Sequence, residues 1–262
     1  MESFCFKRFS VRQSKSAMKV NTDGVLLAAW VTLNKLTASQ SSHLIENPLR
    51  ILDIGTGTGV ISLILAQRLE SGPPFKITAI EIDKNSSEEA AHNFSESPWS
   101  NNLVSKNISL QCFMELEQPS KPEKFSLILS NPPYFTQSLK APSTRRSIAR
   151  HNDVLPLEDI VKAAHLFLED DGILALVLPV NEGVQIISLA KQMSLNLARV
   201  CRVKTLIHKK EKRLLLEFTK GTCETVEQEL IIQEKGGEFY SHAYCSLVEN
   251  YYLKLFKTED SA

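Results

Sequence analysis

One short stretch restricts this chain more than anything else in it. Arg50 to Ile54 reads as a strand, and it leads directly into Gly55-Thr56-Gly57-Thr58-Gly59 and then a helical run from Val60 to Leu69. Glycines at a strand-to-helix switch let main chain approach a ligand closely. The same grammar repeats downstream. Lys76 to Glu81 reads as a strand, a helix follows Asp83, Ile108 to Phe113 reads as a short strand, and Phe125 to Ser130 as an apolar one. A helix after Pro156, a strand Ile173 to Leu178 and a helix from about Asn181 to Met193 continue the series. Such alternation predicts an α/β chain with a doubly wound, mostly parallel sheet and helices on both faces. Leu197 to Leu206 and Arg213 to Phe218 then read as a terminal antiparallel hairpin, and Glu229 to Gln233 as a further strand. Ser241 to Phe256 reads as a closing helix with Ser241 at its N-cap.

A chain of 262 residues, 43% hydrophobic and 23% charged, buries enough apolar surface to need no disulfide or metal staple. We expect one domain, with an amino-terminal extension over residues 1–49 and a core over residues 50–262. The five cysteines are scattered without a Cys-x-x-Cys pair, and the six histidines show no metal spacing, so free thiols and no metal are expected. Trp30 and Trp99 read as buried anchors. The first thirty residues interleave Lys and Arg with Phe4, Phe6 and Phe9 and hold no signal-like apolar region. Apolar runs such as Val25 to Val31 fall far short of the roughly 18 residues that span a bilayer. A cytoplasmic protein is the expectation.

Thirty basic residues balance thirty acidic ones, yet the charge is unevenly spread. Ser138 to His151 carries Lys140, Arg145, Arg146 and Arg150 with no acid, and Arg199 to Lys220 carries eight basic residues against two acidic ones. Basic segments separated by acidic stretches are able to line one face for a polyanion, although charge runs are more often solvated surface.

The loop lacks the Gly-x-Gly-x-x-Gly spacing of a dinucleotide site, because its third glycine comes one residue early. Asp53 precedes the first glycine by two, which suits a ligand with a cationic amino-acid end better than one carrying phosphates. Glu81 ends the second strand, where a ribose diol would lie, and Asp83 reads as the cap of the next helix. At the same carboxyl edge the strand Phe125 to Leu129 terminates in Ser130-Asn131-Pro132-Pro133-Tyr134. Two prolines stiffen the main chain after Asn131 and hold its acceptor groups in place beside an aromatic face. That is what a planar NH2 group needs, since its delocalised lone pair must be turned toward an electrophile.

These residues resemble the Rossmann-like, S-adenosylmethionine-dependent methyltransferases that modify exocyclic or amide nitrogens. The resemblance narrows further. Phe4 to Phe9, Gln13 and Met18 to Trp30, then Ser97-Pro98-Trp99, the Arg146 to Arg150 stretch and the closing Tyr240-Ser241-x-Ala243-Tyr244 are similar to the bacterial tRNA(Val) adenine-37 N6-methyltransferases. The family implies a seven-stranded sheet, S-adenosyl-L-methionine as methyl donor, S-adenosyl-L-homocysteine as product, no metal, and tRNA as substrate, methylated beside the anticodon. It implies that Asp53, Gly55, Thr56, Gly57 and Gly59 form the cofactor loop, that Glu81 holds the ribose, and that Ile82 also binds the cofactor. Lys19, Thr22 and Asp23, within a Met18 to Gly24 cover, join them. Asn131, Pro132, Pro133 and Tyr134 would grip the adenine amine, with Asn131 also facing the cofactor. Arg145, Arg146, Arg150, Lys209, Lys210 and Arg213 would hold RNA phosphates. Met114 stands where relatives carry an acid that binds the cofactor adenine, so Glu115 or main-chain groups would take that role. Two alternatives stay open: glutamine N5-methylation of release factors, since an amide also suits Asn-Pro-Pro-Tyr, and a non-catalytic RNA-binding protein that keeps the fold.

Overall fold

Strands β3 (Leu49–Ile54) and β6 (Phe125–Ser130) are almost wholly buried, as near-continuous apolar runs are when a parallel sheet is covered on both sides. The computed structural model describes residues 2–16, 18–34, 48–117, 122–133, 155–234, 236 and 238–254. Around that pair the sheet continues with β4 (Phe75–Glu81), β5 (Leu103–Asn107), β7 (Leu168–Pro179), β8 (Asn196–Leu206), β9 (Arg213–Thr219), β10 (Val226–Glu234) and β11 (Phe239–Tyr240). The order is β11-β10-β8-β9-β7-β6-β3-β4-β5, nine strands in one sheet among the described residues. The strands β3 to β7 are parallel, β9 runs antiparallel between β7 and β8, and β10 returns parallel to β8. The expected seven-stranded core with its antiparallel hairpin is present, and β10 and β11 extend it by two. A separate two-stranded ladder joins β1 (Ser3–Cys5) to β2 (Ser10–Arg12).

Alternate side chains of the central strands feed two cores. Ile51, Leu127, Leu129 and Val177 pack with helices α1 (Thr22–Trp30), α2 (Val60–Leu69) and α3 (Lys84–Ser95), while Leu52, Ile128, Leu174 and Leu176 pack with α4 (Leu110–Glu117), α5 (Leu157–Phe167) and α6 (Val180–Gln192). Trp30 and Trp99 are both buried in the first core. The caps are local chemistry. Asp83 accepts the Ser86 amide at the start of α3, and Ser241 accepts the Tyr244 amide at the start of α7 (His242–Val248), a closing helix shorter than expected. No helix among the described residues is long and apolar enough to cross a membrane.

One segment departs from expectation. Ile108 to Phe113 is not a strand: β5 lies before it, and α4 begins at Leu110. Leu110 and Phe113 are the buried pair of that helix, and a three-residue spacing in so short a window does not separate strand from helix.

Candidate functional site

The sheet reverses its direction of growth between β3 and β6, which opens a crevice at their carboxyl ends. Register then decides which residues meet there. Ile54 pairs with Ser130 on one side and with Ile80 on the other. Three chains therefore leave the sheet level with one another, carrying Gly55, Asn131 and Glu81. The Ser130 hydroxyl donates to the Ile54 carbonyl at 2.8 Å and locks two of these exits together.

A cleft of about 460 Å³ lies over this edge, walled by the glycine loop, Glu81 to Lys84, residues 108–111, Asn131 and Pro133, with Met18, Lys19 and Asn21 on the amino-terminal side. Gly55 and Gly57 hold φ values of +70° and +56°, a region that side-chain-bearing residues enter only at a cost. A Cβ on Gly57 would meet nothing within 4 Å among the described residues, so the main chain there borders open space among them. Gly59 serves packing instead. At φ +83° its missing Cβ leaves room for Phe94, whose Cε1 lies 2.5 Å from where that atom would stand.

Glu81 bridges the loop to α3. Its Oε2 accepts the Gly57 amide at 3.0 Å and its Oε1 the Asp83 amide at 2.9 Å. Each carboxylate oxygen keeps accepting capacity beyond those bonds, as a pair of vicinal hydroxyls requires. Asp53 is placed differently. It is fully buried beneath the loop, and one oxygen accepts from the Thr56 and Ser62 hydroxyls at 2.7 Å each while Oδ1 has no partner among the described residues. Burial pushes its carboxyl up to about 6 against the pull of those two hydroxyls.

Asn131 is buried, and its Nδ2 donates to Asn21 Oδ1 at 3.4 Å; Asn21 in turn caps α1 by accepting the Gly24 amide. One hydrogen of the Asn131 amide is thus directed at the amino-terminal wall. That contact had no motif to announce it, although Asn21 before an apolar helical run reads as an N-cap.

Of the residues expected at the site, Lys19, Gly55, Thr56, Gly57, Glu81, Ile82, Asn131 and Pro133 share the cleft wall. Several others lie off that wall. Asp53 and Gly59 support the loop from behind. Thr22 and Asp23 form the first turn of α1 and lie off the wall, with Asp23 bound to Arg213 at 2.7 Å. Lys19 is on the wall, but its ammonium pairs with Glu2. Glu115 is exposed on α4, away from the cleft, because the strand ends earlier than expected. Ile108, Ser109 and Gln111 occupy that part of the wall, and Gln111 is held by Asp159 at 2.8 Å. Pro132 follows Asn131 without reaching the wall. Tyr134, Arg145, Arg146 and Arg150 lie outside the described residues.

The basic run after Arg199 largely dissolves into structure. Arg199 is bound to Glu217 and stacks over Trp30, Arg202 pairs with Glu211 and Glu227, Lys204 with Glu229, and Lys220 donates to the Leu168 carbonyl. Arg213 belongs to the Asp23 pair. Lys209 and Lys210 are exposed at the β8–β9 turn, which stands at the same carboxyl edge as the cleft because Pro179 pairs with Arg213.

The comparisons with known proteins bear on fold and family. The methyltransferase small domain family model matches residues 34–205. A protein of Flavobacterium psychrophilum is 39% identical over 252 residues, 96% of this chain and 100% of its own. One of Vibrio parahaemolyticus is 38% identical over 254 residues, 97% of each chain. Both are named tRNA1(Val) (adenine(37)-N6)-methyltransferase. Among solved structures, a "predicted O-methyltransferase" of Agrobacterium tumefaciens superposes with a TM-score of 0.63 at 19% identity, over 90% of this chain and 100% of that one. The N-terminal domain of human METTL16 in complex with SAH superposes with a TM-score of 0.51 at 14% identity, over 82% of this chain and 76% of that one. At such identities the likeness is one of fold. The small-domain match over residues 34–205, with relatives of 38–39% identity along nearly the whole chain that share one name, decides the family: the chain belongs to the tRNA1(Val) (adenine(37)-N6)-methyltransferase family.

Proposed function

We propose that this protein methylates the N6 amine of adenine 37 in tRNA(Val), next to the anticodon, using S-adenosylmethionine as methyl donor. The observation that carries the reading is the shared register of Ile54, Ser130 and Ile80, which sets the glycine loop, Asn131 and Glu81 around one cleft. The residues present fit such a donor. Open space over Gly57 admits a ligand against main chain, and Glu81 retains acceptors for a ribose. The Asp53 oxygen that has no partner among the described residues places negative potential beneath the loop, which favours a cationic amino-acid end.

When bound, S-adenosylmethionine supplies a methyl group on a sulfonium, ready for in-line displacement. The chain's own part is positioning. Asn131 and the main chain stiffened by Pro132 and Pro133 offer acceptors to the two amine hydrogens and so turn the nitrogen lone pair toward the cleft. The amine gains positive charge as it reacts, so neutral or negative acceptors around it favour the transition state over the ground state. No strong base is required, because the excess proton departs to water after transfer. Tyr134 follows in sequence as a stacking face for the extruded base. Lys209 and Lys210 at the β8–β9 turn, with Arg145, Arg146 and Arg150, grip the phosphates flanking it.

In this reading the chain is one methyltransferase domain, with residues 1–49 covering the cleft and residues 50–262 forming the core, and it works in the cytoplasm where tRNA matures. The test is incubation of the purified protein with labelled methyl donor and unmodified tRNA(Val), beside a release factor, followed by mass-spectrometric mapping. N6-methyladenine beside the anticodon is expected, and none in a tRNA(Val) transcript that carries guanine in place of that adenine. Label in the release factor alone, or in neither, overturns the proposal.

A further inference from the structure

The helix that follows Glu81 carries a second acid with no part in the chemistry above. Glu89 lies on α3 and is 3% exposed, yet no cation among the described residues pairs with it. Its charge is met by a ring of donors from the amino-terminal segment. Oε1 accepts the Ser14 amide at 2.8 Å and the Ser14 hydroxyl at 3.2 Å, Oε2 accepts the Ser16 amide at 2.8 Å and the Ser16 hydroxyl at 2.6 Å, and the Lys15 amide reaches both oxygens. Burial alone would push this carboxyl up, but the hydroxyl of Ser16 and the three amides outweigh it and hold it below the usual range. Glu89 stays charged, and the segment stays attached.

Asn93, one turn further along the same face of α3, adds a second rung. Its Oδ1 accepts the Arg12 amide, and its Nδ2 donates to the Arg12 carbonyl and to the Thr58 carbonyl in the glycine loop, each at 2.9 Å. Beyond Ser16 the segment continues to Met18, Lys19 and Asn21, which wall the cleft, and Gln13 closes it by accepting the Val20 amide at 2.9 Å. One helix therefore fixes the cleft's acid-bearing edge, its glycine loop and its amino-terminal wall with respect to one another.

We propose that Glu89 is a positioning residue for methyl transfer: its buried carboxylate latches residues 14–16 onto α3 and so holds Met18, Lys19 and Asn21 against the methyl-donor cleft, with Asn21 orienting Asn131. This rests on the functional reading above. A plain structural anchor would lower stability and leave ligand affinity unchanged in the folded protein. The latch predicts a change at the cleft.

The test uses the full chain with Glu89→Ala, Glu89→Gln and Ser16→Ala, each compared with wild type at a temperature where circular dichroism shows it folded. Calorimetric binding of S-adenosylhomocysteine without RNA, the KM for S-adenosylmethionine and kcat on tRNA are read together with amide hydrogen exchange. Glu89→Ala is expected to weaken product binding and raise KM by about tenfold or more, the loss of at least one ligand contact. Exchange should quicken at Lys15 and Ser16 while β3 and β6 stay protected. Glu89→Gln keeps one acceptor oxygen and should recover part of the affinity. Ser16→Ala removes a single hydroxyl donor and should cost about threefold, which keeps the test open if Glu89→Ala does not fold. Wild-type affinity in folded Glu89→Ala, or in Ser16→Ala where the former is unfolded, overturns the latch and leaves the functional reading intact. A wild-type protein that binds no S-adenosylhomocysteine overturns both.

Discussion

Ser130 Oγ donates to the Ile54 carbonyl at 2.8 Å, across the junction where two neighbouring strands leave the sheet. The bond ties the residue before the glycine loop to the residue before Asn131. Ser130→Ala removes a buried hydrogen bond and is expected to lower stability by about 1 kcal/mol in urea unfolding. It should also depress kcat on tRNA more than it weakens S-adenosylhomocysteine binding, because the freed exit is that of Asn131.

Asp53 ties stability to pH. The unfolded carboxyl titrates near 3.8 and the folded one near 6, so between those values the folded state holds a proton that the unfolded state has lost. Stability contributed by this group is therefore present at low pH, falls as pH rises through the window, and is flat above it. Asp53→Asn has no such group. From about pH 4 to about pH 7 the wild type should lose up to about 3 kcal/mol relative to the variant, measured by urea unfolding. Parallel pH profiles would remove burial as the dominant influence on Asp53.

Gly57 and Gly59 should fail in different ways. Gly59→Ala meets both a left-handed backbone and the Phe94 ring, and should cost about 2–4 kcal/mol of stability. Gly57→Ala meets only the backbone penalty, about 1–2 kcal/mol. Its methyl group enters the space beside the loop, so S-adenosylhomocysteine affinity should drop about tenfold. Calorimetry and thermal melts on the two variants separate the effects, and an affinity loss confined to Gly59→Ala would reverse the assignment.

On the proposed function, the long basic run should supply fewer phosphate contacts than its charge suggests. Replacing both Lys209 and Lys210 by Ala should lower the slope of log affinity for tRNA against log salt by roughly 1–2, from about 0.7 per single-strand phosphate contact. Arg213→Ala should change that slope little, because Arg213 is bound to Asp23 at 2.7 Å. A steeper loss from Arg213→Ala than from the lysine pair would return Arg213 to the RNA surface.

How much of this is readable from sequence follows from the range of each interaction. The glycine loop, the Val60 to Leu69 helix, the Phe125 to Ser130 strand and the caps at Asp83 and Ser241 depend on a few consecutive residues, and the structure has them where the sequence places them. The cations after Arg199 escape such a reading for the opposite reason. Glu227 and Glu229 reach Arg202 and Lys204 only because β10 pairs with β8 in a particular register. Glu89 looks like an ordinary helix acid in sequence, since its donors lie more than seventy residues earlier in the chain. Glu115 belongs to the cleft only if Ile108 to Phe113 is a strand, and the helix beginning at Leu110 carries it away.

The central claim is that Asn131 acts on the reacting amine in a cleft whose affinity for the methyl donor is set by other residues. Single-turnover methylation of tRNA(Val) by Asn131→Ala, read beside its dissociation constant for S-adenosylhomocysteine, tests it most directly. The rate should fall at least about 100-fold, as when a transition-state contact is removed, while the dissociation constant stays within about twofold of wild type. An undiminished rate, or a rate loss matched by an equal loss of product binding, would contradict it.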